Sequence, residues 1–222
     1  MTPPAPLAIA VLASGRGTNL QALIDAIAAG LLDARIAGVF SDKAGAGAVQ
    51  LARAAGIHVE TLDPRDFESR SAFDDALFAA IDACQPDLTV CAGYMRLISA
   101  AAVDARRGRL LNIHPSLLPA FKGLRTHAQA IAAGARQHGA SVHYVTRDLD
   151  GGPVIAQVRV PVLPGDDAET LGGRVLVREH ALLVATITLV AAGRLALVND
   201  VVTLDGAILG TPLQLGANNQ FP

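Results

Sequence analysis

Cysteine is scarce in this chain: Cys84 and Cys91 are the only two among 222 residues. Their spacing fits neither a metal clip nor a redox pair. Both lie in apolar surroundings and are expected as buried thiols in a reducing compartment. Lysine is nearly absent. Only Lys43 and Lys122 stand among basic residues that are otherwise arginine, and no mechanism follows from that alone. An excess of one charge is missing too. The formal net charge is −2 and no basic block occurs, so nothing points to nucleic acid. No apolar run reaches the length a bilayer needs. The longest, Ala181 to Ala192, is too short, and Thr186 and Thr188 interrupt it. The start, Met1-Thr2-Pro3-Pro4-Ala5-Pro6, has no charged lead and no cleavage pattern. Residues 1–6 are therefore expected as a disordered lead rather than a signal peptide. These absences point to a cytoplasmic protein without a membrane partner.

What is present is a well-filled core. The hydrophobic fraction is 51% and the mean hydropathy +0.39, and the length allows one large α/β domain or two small ones. Leu7 to Ala13 is a continuous apolar run, as in a strand covered on both faces. Leu20, Leu23, Ile24 and Ile27 then recur at helical spacing, and Gly30 stops that helix. Further strands are expected over 35–40, 57–62 and 88–92, with helices over 47–55, 69–83 and 99–105 between them. This alternation predicts right-handed βαβ units on a parallel sheet. The second half differs. The runs 140–146 and 154–160 are β-rich around Asp148-Leu149-Asp150-Gly151-Gly152, a hairpin signal, after a helix over 127–133. A long helix over 168–192 follows. Short strands over 195–198, 201–204 and 207–209 close the chain, with Asp205-Gly206 as a turn. One domain, residues 1–222, is expected: α/β and Rossmann-like, with a mostly parallel sheet and an antiparallel C-terminal part.

The chain is organised around Leu110-Leu111-Asn112-Ile113-His114-Pro115-Ser116-Leu117-Leu118-Pro119. A strand over 109–113 runs out where an amide and an imidazole stand two residues apart, on one side of an extended backbone. Pro115 and Pro119 keep a helix from following directly. Strand ends are where α/β proteins build sites.

Other candidates each have a plainer reading. Ser14-Gly15-Arg16-Gly17-Thr18-Asn19 joins a buried strand to a helix, and its free amides suit a phosphate. It lacks the third glycine of a dinucleotide fingerprint and the Lys-Ser/Thr of a Walker loop. Equally, it is a plain turn with Thr18 as N-cap. Asp150 reads as ordinary hairpin chemistry unless the hairpin folds back beside His114, where a carboxylate would orient the ring. His143 is either a core histidine or a partner of Asn112 and His114. Arg70, Arg96 and Arg174 are possible anion ligands or surface charges. Glu179 points into a site or pairs with an arginine. His138 and His143 lack the further ligands of a zinc site, so no metal is expected.

Together these segments resemble the phosphoribosylglycinamide formyltransferases, the folate-dependent enzymes of purine synthesis. The resemblance runs from Ala8 to about Gly193. It rests on Ser14 to Gln21, Ala92 to Ile98, Leu110 to Pro119, Ser141 to Val145, Leu149 to Ile155, and Glu179-His180. Methionyl-tRNA formyltransferase and formyltetrahydrofolate deformylase share the Asn, His and Asp but carry extra domains for which this chain has no room.

The resemblance implies attack by the amine of glycinamide ribonucleotide on the formyl carbon of 10-formyltetrahydrofolate, the cosubstrate, with no metal and no covalent intermediate. Asn112 and a protonated His114 would donate to the formyl oxygen, and Asp150 would move the proton through a water. By family position, Gly17, Thr18 and Asn19 would hold the substrate phosphate and Glu179 the ribose. Met95, Arg96, Leu97 and Ile98 would line the pterin pocket with Val145 to Asp150. Arg70 and Lys122 would lie near the substrate or folate mouth. Leu176 and Arg125 depart from some relatives and touch only the finer substrate contacts. A monomer or weak homodimer is implied. The same triad with water as acceptor would be a deformylase. A nucleotide-binding module without catalysis is the reading from another class.

Overall fold

The computed structural model describes residues 5–222. Of the expected disordered lead, residues 1–4 lie outside the described residues, and Ala5 and Pro6 are exposed and belong to no element. The chain divides into two compact units, residues 1–111 and 112–222.

The first unit is a βα repeat. Its strands are β1 (Leu7–Leu12), β2 (Ala34–Ser41), β3 (Val59–Thr61) and β4 (Leu88–Cys91). They pair in parallel in the order β4-β1-β2-β3. Ile9 to Ala13 are fully buried, because helices cover both faces of such a sheet. The helices are α1 (Thr18–Ala28), α2 (Gly47–Ala54), α3 (Arg70–Ala83) and the short α4 (Ala100–Asp104). Ser69 caps α3 and Ser99 caps α4, each accepting a backbone N–H three residues on. β3 is shorter than its apolar run suggested, since residues 57–58 are still leaving the helix C-terminus through Gly56 at φ 69°.

β5 (Leu110–His114) carries the boundary between the units. Beyond it come α5 (Thr126–Ala132), β6 (Gln137–Tyr144) and β7 (Val154–Pro161), then α6 (Ala168–Ala191). β6 and β7 pair antiparallel, with a bulge at Val142/His143. α6 starts in a capping box between Asp167 and Thr170, and its buried Leu171, Val175 and Leu182 face β6 and β7. A separate antiparallel sheet follows: β8 (Leu195–Val198), β9 (Val201–Leu204) and β10 (Ala207–Ile208). The parallel first half and antiparallel second half are the expected α/β class.

Three local expectations need correction. β6 begins at Gln137, three residues early, and ends at Tyr144, because the bulge and the following loop take 145 and 146 out of the ladder. A last strand, β11 (Leu213–Gln214), runs parallel to β7; two residues carry no readable period. Cys84, expected buried, is only half-buried at the C-cap of α3, whereas Cys91 is buried and its thiol is pushed up to about 12 by desolvation.

Candidate active site

The second unit brings Asn112, His114, His143 and Asp150 together. Asn112 and His114 share one side of β5, as the period of two requires. His143 stands on the neighbouring strand β6, and Asp150 reaches them from the β6–β7 loop. His114 and His143 are buried.

Hydrogen bonding settles how each ring is protonated. His143 Nδ1 lies 2.9 Å from the Tyr144 carbonyl, which can only accept. The proton therefore sits on Nδ1, and Nε2 keeps its lone pair. That lone pair receives the Asn112 amide, Nδ2 to Nε2 at 3.0 Å. So a neutral His143 fixes which way the amide faces, with its second N–H left for a ligand. Burial, the largest influence on His143, disfavours its charged form. His114 is fixed the same way. Its Nε2 donates to the Phe121 carbonyl at 3.0 Å, which leaves Nδ1 as the nitrogen that gains or loses a proton. Nδ1 faces Asp150 Oδ2 at 3.5 Å. Asp150 Oδ1 lies 3.8 Å from His143 Nε2.

Asp150 is held in place by its backbone. It adopts φ 46°, in the left-handed region where Asp is among the tolerated residues. The Gly123 N–H donates to Oδ2 at 2.9 Å. The loop after β5 that supplies Phe121 and Gly123 is itself anchored. Gln157 donates to Leu118 O and Ser141 Oγ, Ser141 Oγ donates to Ser116 O, and Thr126 Oγ1 donates to Pro115 O. The His114 imidazole and the Asp150 carboxylate thus each bind a backbone group of one loop. No sequence signal could reveal those groups, because every residue carries them.

His138 is fully buried and pairs with His127, Nε2 to Nδ1 at 3.0 Å. Among the described residues no group of three or more His, Cys, Asp or Glu could hold a metal ion. Desolvation, then the neighbouring His127 and His114, lowers His138 from 6.5 to about 4; desolvation also lowers His127. Both rings are thus neutral in the folded protein. Above pH 6.5 the unfolded chain is neutral at these rings as well, and their stability contribution is complete. As pH falls below 6.5 the unfolded chain binds protons first, so stability drops, levelling near pH 4 for His138. That drop is on the order of 3 kcal/mol for His138. Urea titrations of wild type and His138→Gln between pH 7 and pH 4 check it: the variant should show the shallower decline.

The first unit places the remaining predicted residues. Gly17 is the N-cap of α1, at φ 83° with no side-chain cap, so Thr18 is the first helical residue rather than the cap. Gly17 must be glycine, since a Cβ would meet Ala48 Cα at 2.6 Å. The loop is tied to the one after β4: Ser14 N–H donates to Gly93 O and Met95 N–H to Ser14 Oγ, each at 3.0 Å. Asn19 is buried. Met95 and Leu97 stand in solvent at 61% and 55% exposure, far more than apolar side chains need for folding. Ile98 is half-buried. Arg96 lies over the Phe73 ring, 5.0 Å from its centre, and lines a cavity of about 570 Å³ with Lys43 and Arg65. Arg70 is exposed at the start of α3. In the second unit, Val145 is half-buried beside the site strand and Glu179 is buried on α6. Arg174 is committed elsewhere: it pairs with Asp166 at 2.7 Å.

Comparison with known proteins gives one answer. The formyl transferase family matches residues 7–187. The phosphoribosylglycinamide formyltransferase of Escherichia coli (strain K12) is 48% identical over 89% of this chain and 93% of its own length. The structure of the phosphoribosylglycinamide formyltransferase from Coxiella burnetii superposes with a TM-score of 0.89 at 47% identity, over 92% of this chain and 96% of that one. A formyltetrahydrofolate deformylase from Pseudomonas syringae pv. tomato superposes at 0.80 and 26% identity, and only 66% of its chain is covered. With its amide–imidazole–carboxylate set on β5 and the β6–β7 loop, the chain belongs to the formyl transferase family.

Proposed function

We propose that this protein transfers the formyl group of 10-formyltetrahydrofolate to the amine of glycinamide ribonucleotide, the reaction for which its phosphoribosylglycinamide formyltransferase relatives are named. The observation that carries the residue roles is the locked pair of donors. His143 turns the Asn112 amide, and the Phe121 carbonyl turns His114, so that an amide N–H and Nδ1, a donor when the ring carries its second proton, face the space beside Asp150. Attack by the amine puts negative charge on the formyl oxygen, and donors already aimed there stabilise it without reorganising. The ammonium formed must lose a proton, and the leaving folate nitrogen must gain one. Asp150, acting through a water, carries that proton. No side chain attacks, so no covalent enzyme intermediate forms.

Gly17, Thr18 and Asn19 hold the phosphate at the start of α1, and Glu179 takes the ribose hydroxyls. Met95, Arg96, Leu97, Ile98, Arg70 and Val145 receive the folate together with Asn112 and Asp150. The exposure of Met95 and Leu97 supports that assignment. The protein works in the cytoplasm as a monomer or weak homodimer. No helix is long and apolar enough to cross a membrane among the described residues.

The likeness to a deformylase supports a second reading, with water as the acceptor. One assay separates them. Protein is mixed with 10-formyltetrahydrofolate, with and without glycinamide ribonucleotide, and tetrahydrofolate release is followed by absorbance. The transferase turns over only with the amine, and His114→Ala abolishes that turnover while leaving folate affinity measurable. Turnover without the amine means a deformylase. Ligand binding with no turnover in wild type means a binding module.

A further inference from the structure

Lys122 is one of two lysines in the chain, and its backbone neighbours both hold reacting groups. Phe121 O accepts from His114 Nε2, and Gly123 N–H donates to Asp150 Oδ2. Phe121 and Gly123 have φ of 55° and 77°. These two left-handed residues and their bonds fix the backbone on either side of residue 122. The side chain of Lys122 then crosses to the β6–β7 loop. Its Nζ lies 3.4 Å from where a Cβ on Gly151 would stand, so the ammonium rests on the residue next to Asp150. No ion pair among the described residues occupies it. A cation therefore sits on the turn that carries the Asp150 carboxylate.

We propose that Lys122 is a positioning residue: its ammonium, seated on Gly151, balances the Asp150 carboxylate across the His143 ring and so keeps the Asn112 amide turned with its N–H toward the substrate. The geometry makes this follow. Asn112 presents its NH2 side to His143 only while Nε2 has a lone pair to give. A proton on Nε2 would demand an acceptor, and the amide would turn its oxygen to the ring. Its N–H would then leave the formyl oxygen. Asp150, 3.8 Å from Nε2, favours that proton. Every group facing the ring is accounted for. Burial disfavours the proton most. The Tyr144 carbonyl and Asp150 favour it, and His114 and Lys122 oppose it.

The amide's role rests on the proposed transfer reaction; the charge balance at His143 does not. The test reads both. In ¹⁵N-labelled protein without substrate, the His143 ring nitrogens are followed by NMR across pH in wild type, Lys122→Met and Lys122→Arg. Lys122→Met should raise the His143 titration midpoint by about half a pH unit, and Lys122→Arg should restore it. In the assay, the acid limb of kcat should move by the same amount. Activity at its acid end then falls about threefold, with both KM values nearly unchanged. Lys122 is exposed, so these variants fold. An unmoved midpoint in Lys122→Met overturns the proposal. So does a change confined to KM, which would make Lys122 a ligand contact. If wild type lacks transferase activity but the midpoint moves, the charge balance stands and the functional reading falls.

Discussion

Asp150→Asn lowers kcat by about 10²–10⁴-fold, the range lost when a positioned acid–base group is removed, while the folded structure remains. The substitution is nearly isosteric. Asparagine accepts the Gly123 N–H as the carboxylate does at 2.9 Å, and it tolerates the φ of 46° as well as aspartate. What it cannot do is carry a proton. The loss therefore appears in kcat, with thermal stability and folate KM close to wild type. Steady-state kinetics beside a melting curve measure this. Near-normal kcat would remove Asp150 from the proton path and leave the Asn112–His114 donors as the whole of the catalysis.

Gly152→Ala is the second large effect, and it acts through the backbone. A Cβ there would lie 1.9 Å from the Tyr144 carbonyl oxygen and 3.0 Å from Thr146 Cγ2. The carbonyl belongs to the strand and cannot swing aside as a side chain could. The two strands must part where Tyr144 N–H bonds Pro153 O at 3.0 Å. The expected cost is about 3 kcal/mol, at the upper end for overpacking a fitted site. The damage also reaches the chemistry, because the same Tyr144 carbonyl holds His143 Nδ1 and thereby the Asn112 amide. Urea midpoints give the stability loss. At a temperature where the variant remains folded, kcat should still be below wild type. A variant as stable as wild type would mean that the loop relaxes freely and that Asp150 is less firmly held than its bonds imply.

Several site features were legible in single residues because local rules decide them. Asn112 and His114 share a face because strands alternate, whatever packs around them. Gly17 marks a sharp turn because few other residues adopt φ 83°. Asp205-Gly206 marks a hairpin turn for the same reason, with both residues at positive φ. The continuous apolar run in β1 forecast a strand covered on both faces, and its residues from Ala8 on are buried. Thr18 was misread as the cap because a Thr before a helical pattern is a common cap, and nothing local shows that Gly17 already turns the chain against Ala48.

By itself, then, the sequence determined the class of fold and nearly all of the order of elements, since propensity, period and turn chemistry act over a few residues; it offered the amide and imidazole as candidates, and the carboxylate only on condition that its hairpin folds back beside His114. Only the tertiary structure decided which atom of each group is available. The Phe121, Tyr144 and Gly123 backbone groups choose the proton-bearing nitrogen of His114, the lone pair of His143 and the reach of Asp150. Those choices depend on where a carbonyl or amide common to every residue comes to rest, and only packing between distant segments of chain puts it there.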